Sequence, residues 1–158
     1  MDILYACNAC TAKKFDELYN NKSNAPHQFF KYNKLLIDGI HTNINSITVL
    51  SGLPVNRSIS KKVYFRRQND YENNVKYVYL PFINLPILRN IWIFFGSLLF
   101  SIFWFLKHKK GYLITDVLNI SIASGSLLST KIVRRKSVGI VTDVPSKLAD
   151  QPIYWGHQ

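Results

Sequence analysis

The sequence predicts a three-layer α/β domain built on a mostly parallel sheet, and three observations predict it. Short apolar runs alternate along the chain with segments of helical periodicity, the pattern of right-handed strand–helix–strand crossovers. The run that starts at Val138 is rich in Val and Ile, as expected of a buried parallel strand. Two of the runs end in a carboxylate, at Asp116 and Asp143. Open α/β sheets turn those strand ends toward a ligand crevice.

Each element has its own local signal. Asp2–Cys7 is a short apolar run and reads as the first, central strand. Residues 8–23 are polar and read as a loop. Pro26 suits the first turn of a helix because its φ is fixed. Phe29, Phe30, Leu36, Ile37 and Ile40 then fall on one face of a helix over 26–41. Ser46–Leu53, closed by Pro54, is the second strand. Residues 62–80 hold two β-rich runs, Val63–Arg66 and Val75–Leu80, with the Asn/Asp-rich stretch 69–74 as the turn between them. This region is expected to add an irregular or antiparallel element. Pro86 opens a long apolar helix that reaches His108, and Tyr112–Asp116 is a further strand. Asn119 can cap a helix over 119–135, rich in small residues that allow close packing. That helix ends basic, which complements its dipole. The strand from Val138 closes the order β-α-β-β-β-α-β-α-β. Residues 1–145 read as one domain and 146–158 as a loop-like tail.

The charge is lopsided, with 20 Lys and Arg against 9 Asp and Glu, a net +11. Such a surface attracts anions or is simply solvated. Two clusters, Lys61–Arg67 and Lys131–Lys136, raise the question of nucleic acid, but no nucleic-acid module pattern accompanies them, and no nucleic-acid partner is expected. The only cysteines are Cys7 and Cys10, so a disulfide framework is not expected and a cytoplasmic setting is. Cys7-Asn-Ala-Cys10 is a lone CxxC. A zinc site needs a second ligand pair, and the histidines are scattered, so no metal is expected. A redox pair would need this motif at a helix start. No phosphate-cradling glycine motif or nucleophile elbow is present, so the chain is expected to carry no cofactor of its own. Asp116 and Asp143 could share acid–base work, or cap a helix and brace a turn.

Residues 91–106 contain no charge. Sixteen residues make a helix of about 24 Å, short of a bilayer core of about 30 Å. The segment therefore reads as a helix packed on the sheet, one partly inserted in a leaflet, or a span. Trp92 and Trp104 near its ends favour an interfacial role, and Lys107, Lys109 and Lys110 would meet anionic headgroups.

The opening strand Ile3-Leu-Tyr-Ala-Cys7, the segments Val78–Asn84 and Leu113–Ala123, and Gly139-Ile-Val-Thr-Asp-Val-Pro145 resemble, in order and spacing, the N-terminal half of a GT-B glycosyltransferase. The similarity runs from Asp2 to about Pro145 and points to the large bacterial family that builds polysaccharides, glycolipids and cell-envelope glycans. The resemblance implies a Rossmann-like domain that binds the acceptor, one half of a GT-B fold. A separate donor-binding domain or subunit would bind the sugar nucleotide, with the reaction in the cleft between them. Acceptor contacts are expected at Asn8, Cys10, Thr11 and Asp116, all at strand ends. Asp143 is expected to orient or deprotonate an acceptor hydroxyl. Two departures stand out. The loop from Asn8 lacks the glycines many relatives carry, and Asp143 stands where many retaining members have histidine. The acidic E-x(7)-E-like motif of the donor half is absent from these residues. The chain is thus expected to be a truncated product or one subunit of a split enzyme, inactive alone. It is expected to bind a glycan or lipid-linked acceptor at an anionic membrane surface, peripheral to the inner face of the plasma membrane. The competing expectation is a small membrane-anchored, non-enzymatic binding protein with 91–106 as its anchor.

Overall fold

The computed structural model describes residues 1–19, 25, 27–44 and 46–141. Pro26, Asp143 and the tail 146–158 lie outside the described residues. The elements run β1 (Asp2–Cys7), α1 (Ala12–Tyr19), α2 (His27–Asn43), β2 (Ser46–Ser51), β3 (Tyr64–Phe65), β4 (Gln68–Glu72), β5 (Val75–Tyr79), β6 (Phe82–Ile83), α3 (Pro86–Lys107), β7 (Tyr112–Asp116), α4 (Ile120–Ile132) and β8 (Ser137–Ile140). Six strands form one sheet in the order β4-β5-β2-β1-β7-β8. All neighbours are parallel except β4 and β5. The fold is α/β with a mostly parallel mixed sheet, as the alternation of elements predicts.

The central strands explain their own position. Leu4, Tyr5, Ala6 and Cys7 of β1 and Val49 and Leu50 of β2 are fully buried, so consecutive residues on both faces are covered. That requires helices on both sides. One face carries α1 and α2. The Tyr5 hydroxyl donates to Asn33 Oδ1 of α2 at 2.9 Å, and Phe15 of α1 stacks on Phe30 of α2 at 4.3 Å. The other face carries α3 and α4. Trp104 Nε1 donates to Thr48 Oγ1 of β2 at 3.3 Å. Alternation along the strands gives the same division, because Thr48 pairs with Leu4 and Val49 with Tyr5.

α3 and α4 meet along a seam of small residues. Ser101 Oγ lies 3.4 Å from Ser126 Oγ. A Cβ on Gly125 would fall inside van der Waals contact of Ser97 Oγ and the Phe94 carbonyl oxygen. Gly125 therefore sets how closely the helices approach, as the small-residue content of 119–135 anticipates.

Five local expectations are corrected. The stretch 8–23, expected as loop, contains α1, whose N-cap is Thr11: its hydroxyl oxygen accepts from the Lys14 amide at 3.2 Å. Phe15 and Tyr19, four apart, bury the inner face. The stretch 69–74, expected as turn, is mostly strand β4. Only Asn73 and Asn74, with φ of 51° and 63°, make the hairpin turn, the left-handed pair such two-residue loops require. The run Val63–Arg66 shrinks to β3 and pairs antiparallel with β6 in a separate two-stranded sheet. The helix expected over 119–135 stops at Ile132. Finally β8 is an edge strand with Val138 exposed, not a strand covered on both faces.

Candidate functional site

The order of the parallel strands reverses at β1. The chain steps outward from β1 to β2 and β5, then crosses by α3 to β7 on the other side. At such a switch point the loops leaving β1 and β7 diverge and open a crevice at the strands' carboxyl ends. A concavity of about 240 Å³ lies there, lined by Asn8, Arg89, Asn90, Ile93 and residues 118–122. Three segments build it. Asn8 follows β1, Arg89 and Asn90 stand in the first two turns of α3, and Asn119 and Ser121 flank the start of α4.

A hydrogen-bond relay holds this rim. Asn8 Nδ2 donates to Asn119 Oδ1, and Asn119 Nδ2 donates to Asp116 Oδ2 at 2.6 Å. Asp116 Oδ1 accepts from the Leu118 amide at 3.1 Å. Asp116 is buried and braces the β7–α4 loop from below. The Asn119 side chain is spent on this relay and makes no cap bond to α4. The first-turn amides of α4 thus have no side-chain cap beside the crevice, and no acidic residue in that turn offsets the positive end of the helix dipole.

Arg89 adds a cation. Its Nη2 donates to the Leu53 carbonyl at 2.7 Å, its guanidinium lies over Phe82 at 5.3 Å, and its buried Nε has no partner among the described residues. Burial lowers its pKa from the ordinary arginine value, with an opposing contribution from Tyr19. Leu53 is held at a left-handed φ of 48°, an uncommon conformation for a branched residue. Gly52 lies close beside it, where an added Cβ would come within 2.9 Å of Asn8 Oδ1 and press on that side chain. The site combines one cation, uncapped amides and three asparagines, and so offers hydrogen bonds to hydroxyls and to anionic oxygens.

The expected site residues divide. Asn8 lines the crevice and Asp116 supports it through Asn119. Cys10 and Thr11 are buried away from it. Thr11 caps α1, donates its hydroxyl to Asp70 at 2.7 Å, and donates its amide to the Tyr79 hydroxyl at 3.1 Å. It has no donor left for a ligand, which corrects its expected role. The Cys10 thiol is pushed up to about 12, by burial first and the Glu72 charge second, so it stays protonated near neutrality. Cys7 is likewise raised by burial, and both cysteines are free. The CxxC precedes Thr11, the N-cap, and is no thiolate pair. Asp143 lies outside the described residues. Arg89, Asn90 and Ser121 were not anticipated from the sequence. Among the described residues no group of three or more His, Cys, Asp or Glu side chains is placed to hold a metal ion.

The residues expected at a membrane also divide. α3 has 22 residues and is long and apolar enough to cross a bilayer by length and composition. Yet Ile93, Ser97, Ser101, Trp104 and Phe105 are buried against the sheet and α4. Trp104 is only 7% exposed and stacks on His108 at 4.3 Å, which corrects its expected place at a membrane surface. Trp92 is 45% exposed and lies on an outward stripe with Leu88, Phe95, Leu99, Phe103 and Leu106, spaced three or four apart. Lys107, Lys109 and Lys110 are exposed at its end.

No protein-family model, no curated protein and no solved structure matches this chain.

Proposed function

We propose that this chain is the acceptor-binding domain of a GT-B glycosyltransferase, a Rossmann-like unit that works with a sugar-nucleotide-binding domain. The observation that carries the reading is the polar crevice at the switch point between β1 and β7, where Asn8, Arg89, Asn119 and the uncapped start of α4 converge. Ligands of open α/β sheets bind at that place. Its lining suits a sugar: many neutral hydrogen-bonding groups and a cation for a phosphate or polarised hydroxyl. The resemblance of the sequence segments supplies the reaction class. Asp143, at the expected end of the strand containing β8, is proposed as the group that orients or deprotonates the acceptor hydroxyl. A glycan or lipid-linked saccharide is the proposed acceptor.

The outward stripe of α3 and the lysines that follow it support peripheral docking on the anionic inner face of the plasma membrane. An inserted apolar face and a basic cluster are the two signals that stable peripheral binding needs. A spanning anchor would withdraw the buried face of α3 from the sheet, so the packing of Trp104 and Phe105 favours docking.

Amide NMR tests the acceptor reading. Acceptor oligosaccharides are expected to shift the side-chain resonances of Asn8, Asn90 and Asn119 and leave α2 unchanged. Shifts confined to the α2 side of the sheet would sink it. In a two-domain enzyme Asp143→Asn is expected to lower kcat far more than it raises the acceptor KM. An unchanged kcat would remove Asp143 from the chemistry.

A further inference from the structure

A second concavity, of about 670 Å³, lies between α3 and the β2–β5 side of the sheet. Its volume is within the range of about 300–1,000 Å³ usual for small-molecule sites. Leu80, Pro81, Leu99, Phe100 and Phe103 form an apolar floor, opened further because Gly96 carries no side chain. Arg67, Lys76, Lys107 and His108 stand around it, and no carboxylate lines it. Asp2 meets His108 Nδ1 at 3.1 Å and pairs with none of the other three. Arg67 rests over the Phe100 ring at 5.4 Å. Arg67, Lys76 and Lys107 have no ion-pair partner among the described residues. Three uncompensated cations around an apolar trough match one ligand class, a molecule with an acyl chain and an anionic head.

We propose that this groove holds a single anionic phospholipid from the membrane, its acyl chain on the Leu80–Phe103 floor and its phosphate between Lys76, Arg67 and Lys107. The proposal deepens the membrane-docking part of the function proposed above. It turns a non-specific surface attraction into a one-to-one site, and it places the lipid beside the exposed stripe of α3. Phe103 and Leu99 belong to both stripe and groove, so a lipid can enter sideways from a leaflet without leaving apolar surroundings.

The test is a calorimetric titration of the full chain with dihexanoyl phosphatidylglycerol kept below its micelle concentration. Dihexanoyl phosphatidylcholine and glycerol 3-phosphate serve as the comparisons. Saturable one-to-one binding is expected for the phosphatidylglycerol, weaker by about tenfold for the zwitterionic lipid, since each cation near an anionic head contributes appreciably. Glycerol 3-phosphate should not bind. Gly96→Phe fills the trough and should abolish the binding. The added Cβ meets Leu80 at 3.5 Å, an ordinary contact, and replacing a mid-helix glycine favours the helix, so the fold is expected to survive, which far-UV circular dichroism of the variant checks. Lys76→Glu should weaken binding by about tenfold without touching the floor. Equal binding of glycerol 3-phosphate would assign the cations to a bare phosphate and overturn the proposal. Self-association of the lipid-free chain that Gly96→Phe removes would assign the groove to a second copy and overturn it too. Adsorption to phosphatidylglycerol vesicles with no saturable lipid site would overturn the groove while sparing membrane docking. Loss of both would sink both.

Discussion

The two concavities share one helix and differ in kind. The first two turns of α3 give Arg89, Asn90 and Ile93 to the crevice at the carboxyl edge, and its second half gives Leu99, Phe100 and Phe103 to the groove. The crevice is lined by amides and asparagines, two of them held in a side-chain relay, so a ligand there would be selected by hydrogen-bond geometry. The groove is an apolar trough with cations at its rim, so a ligand there would be selected by amphiphilic pattern. The proposed acceptor crevice and the proposed lipid groove thus sit toward the two ends of a single helix. That arrangement fits a domain whose acceptor is presented at a membrane.

Substitutions can separate the two ends or destroy both. Trp104→Ala should have the largest effect, about 3–5 kcal/mol of stability. It removes a buried ring, the bond to Thr48 and the stack on His108. Trp92→Ala, on the outward stripe, should change stability by under about 0.5 kcal/mol and reduce vesicle adsorption. Urea unfolding of the pair checks the contrast, and equal losses would contradict the inward and outward assignment. Gly125→Val should cost about 3 kcal/mol by overpacking the seam against the Phe94 carbonyl. At roughly 2–4 °C per kcal/mol for a chain of this size, Tm falls by roughly 6–12 °C. Because the seam seats α3, both ligand sites should weaken together. Asn119→Ala should cost about 1–2 kcal/mol, since it leaves Asn8 and buried Asp116 each short of a partner. It should impair acceptor binding and leave lipid binding intact, and parallel titrations would expose any coupling.

At neutral pH no titration effect is expected from Cys10, which lines neither concavity. Its thiol is raised by burial to about 12. A group raised on folding contributes stability that is complete below its unfolded value, about 8.5, and is lost as pH rises through the folded one. Stability should therefore decline from about pH 8.5 toward 12, and Cys10→Ser should lessen that decline, to which the buried Cys7 also contributes. Thiol reagents at pH 8 should label the cysteines only as the chain unfolds.

Much of the architecture was legible in the sequence because the central strands are apolar on both faces. β1, β7 and the helix starting at Pro86 are where the sequence predicts them. The errors cluster where polarity and structure part. β4 is an edge strand, so Gln68–Glu72 keeps polar residues in extended backbone, and only Asn73 and Asn74 turn. α1 has two buried residues and a Thr cap; the pattern Thr11, Phe15, Tyr19 carried that signal within a polar stretch. The inward turn of Trp104 was also legible. It shares a helical phase with Ile93, Ser97 and Ser101, whereas Trp92 falls on the outward phase, a difference that position along the segment alone does not show. The crevice was only half legible. Asn8 and Asp116 follow from strand ends, but Arg89 reaches the site by a long-range contact to Leu53 that no local pattern encodes.

The carboxyl-edge crevice is proposed to take an acceptor and not a sugar nucleotide. Isothermal titration of the chain with an acceptor saccharide, then with UDP-glucose and GDP-mannose, tests it most directly. Saturable acceptor binding that Asn119→Ala weakens is expected, with neither tight binding nor turnover of either sugar nucleotide. Micromolar sugar-nucleotide binding accompanied by transfer, or acceptor binding indifferent to Asn119→Ala, would contradict it.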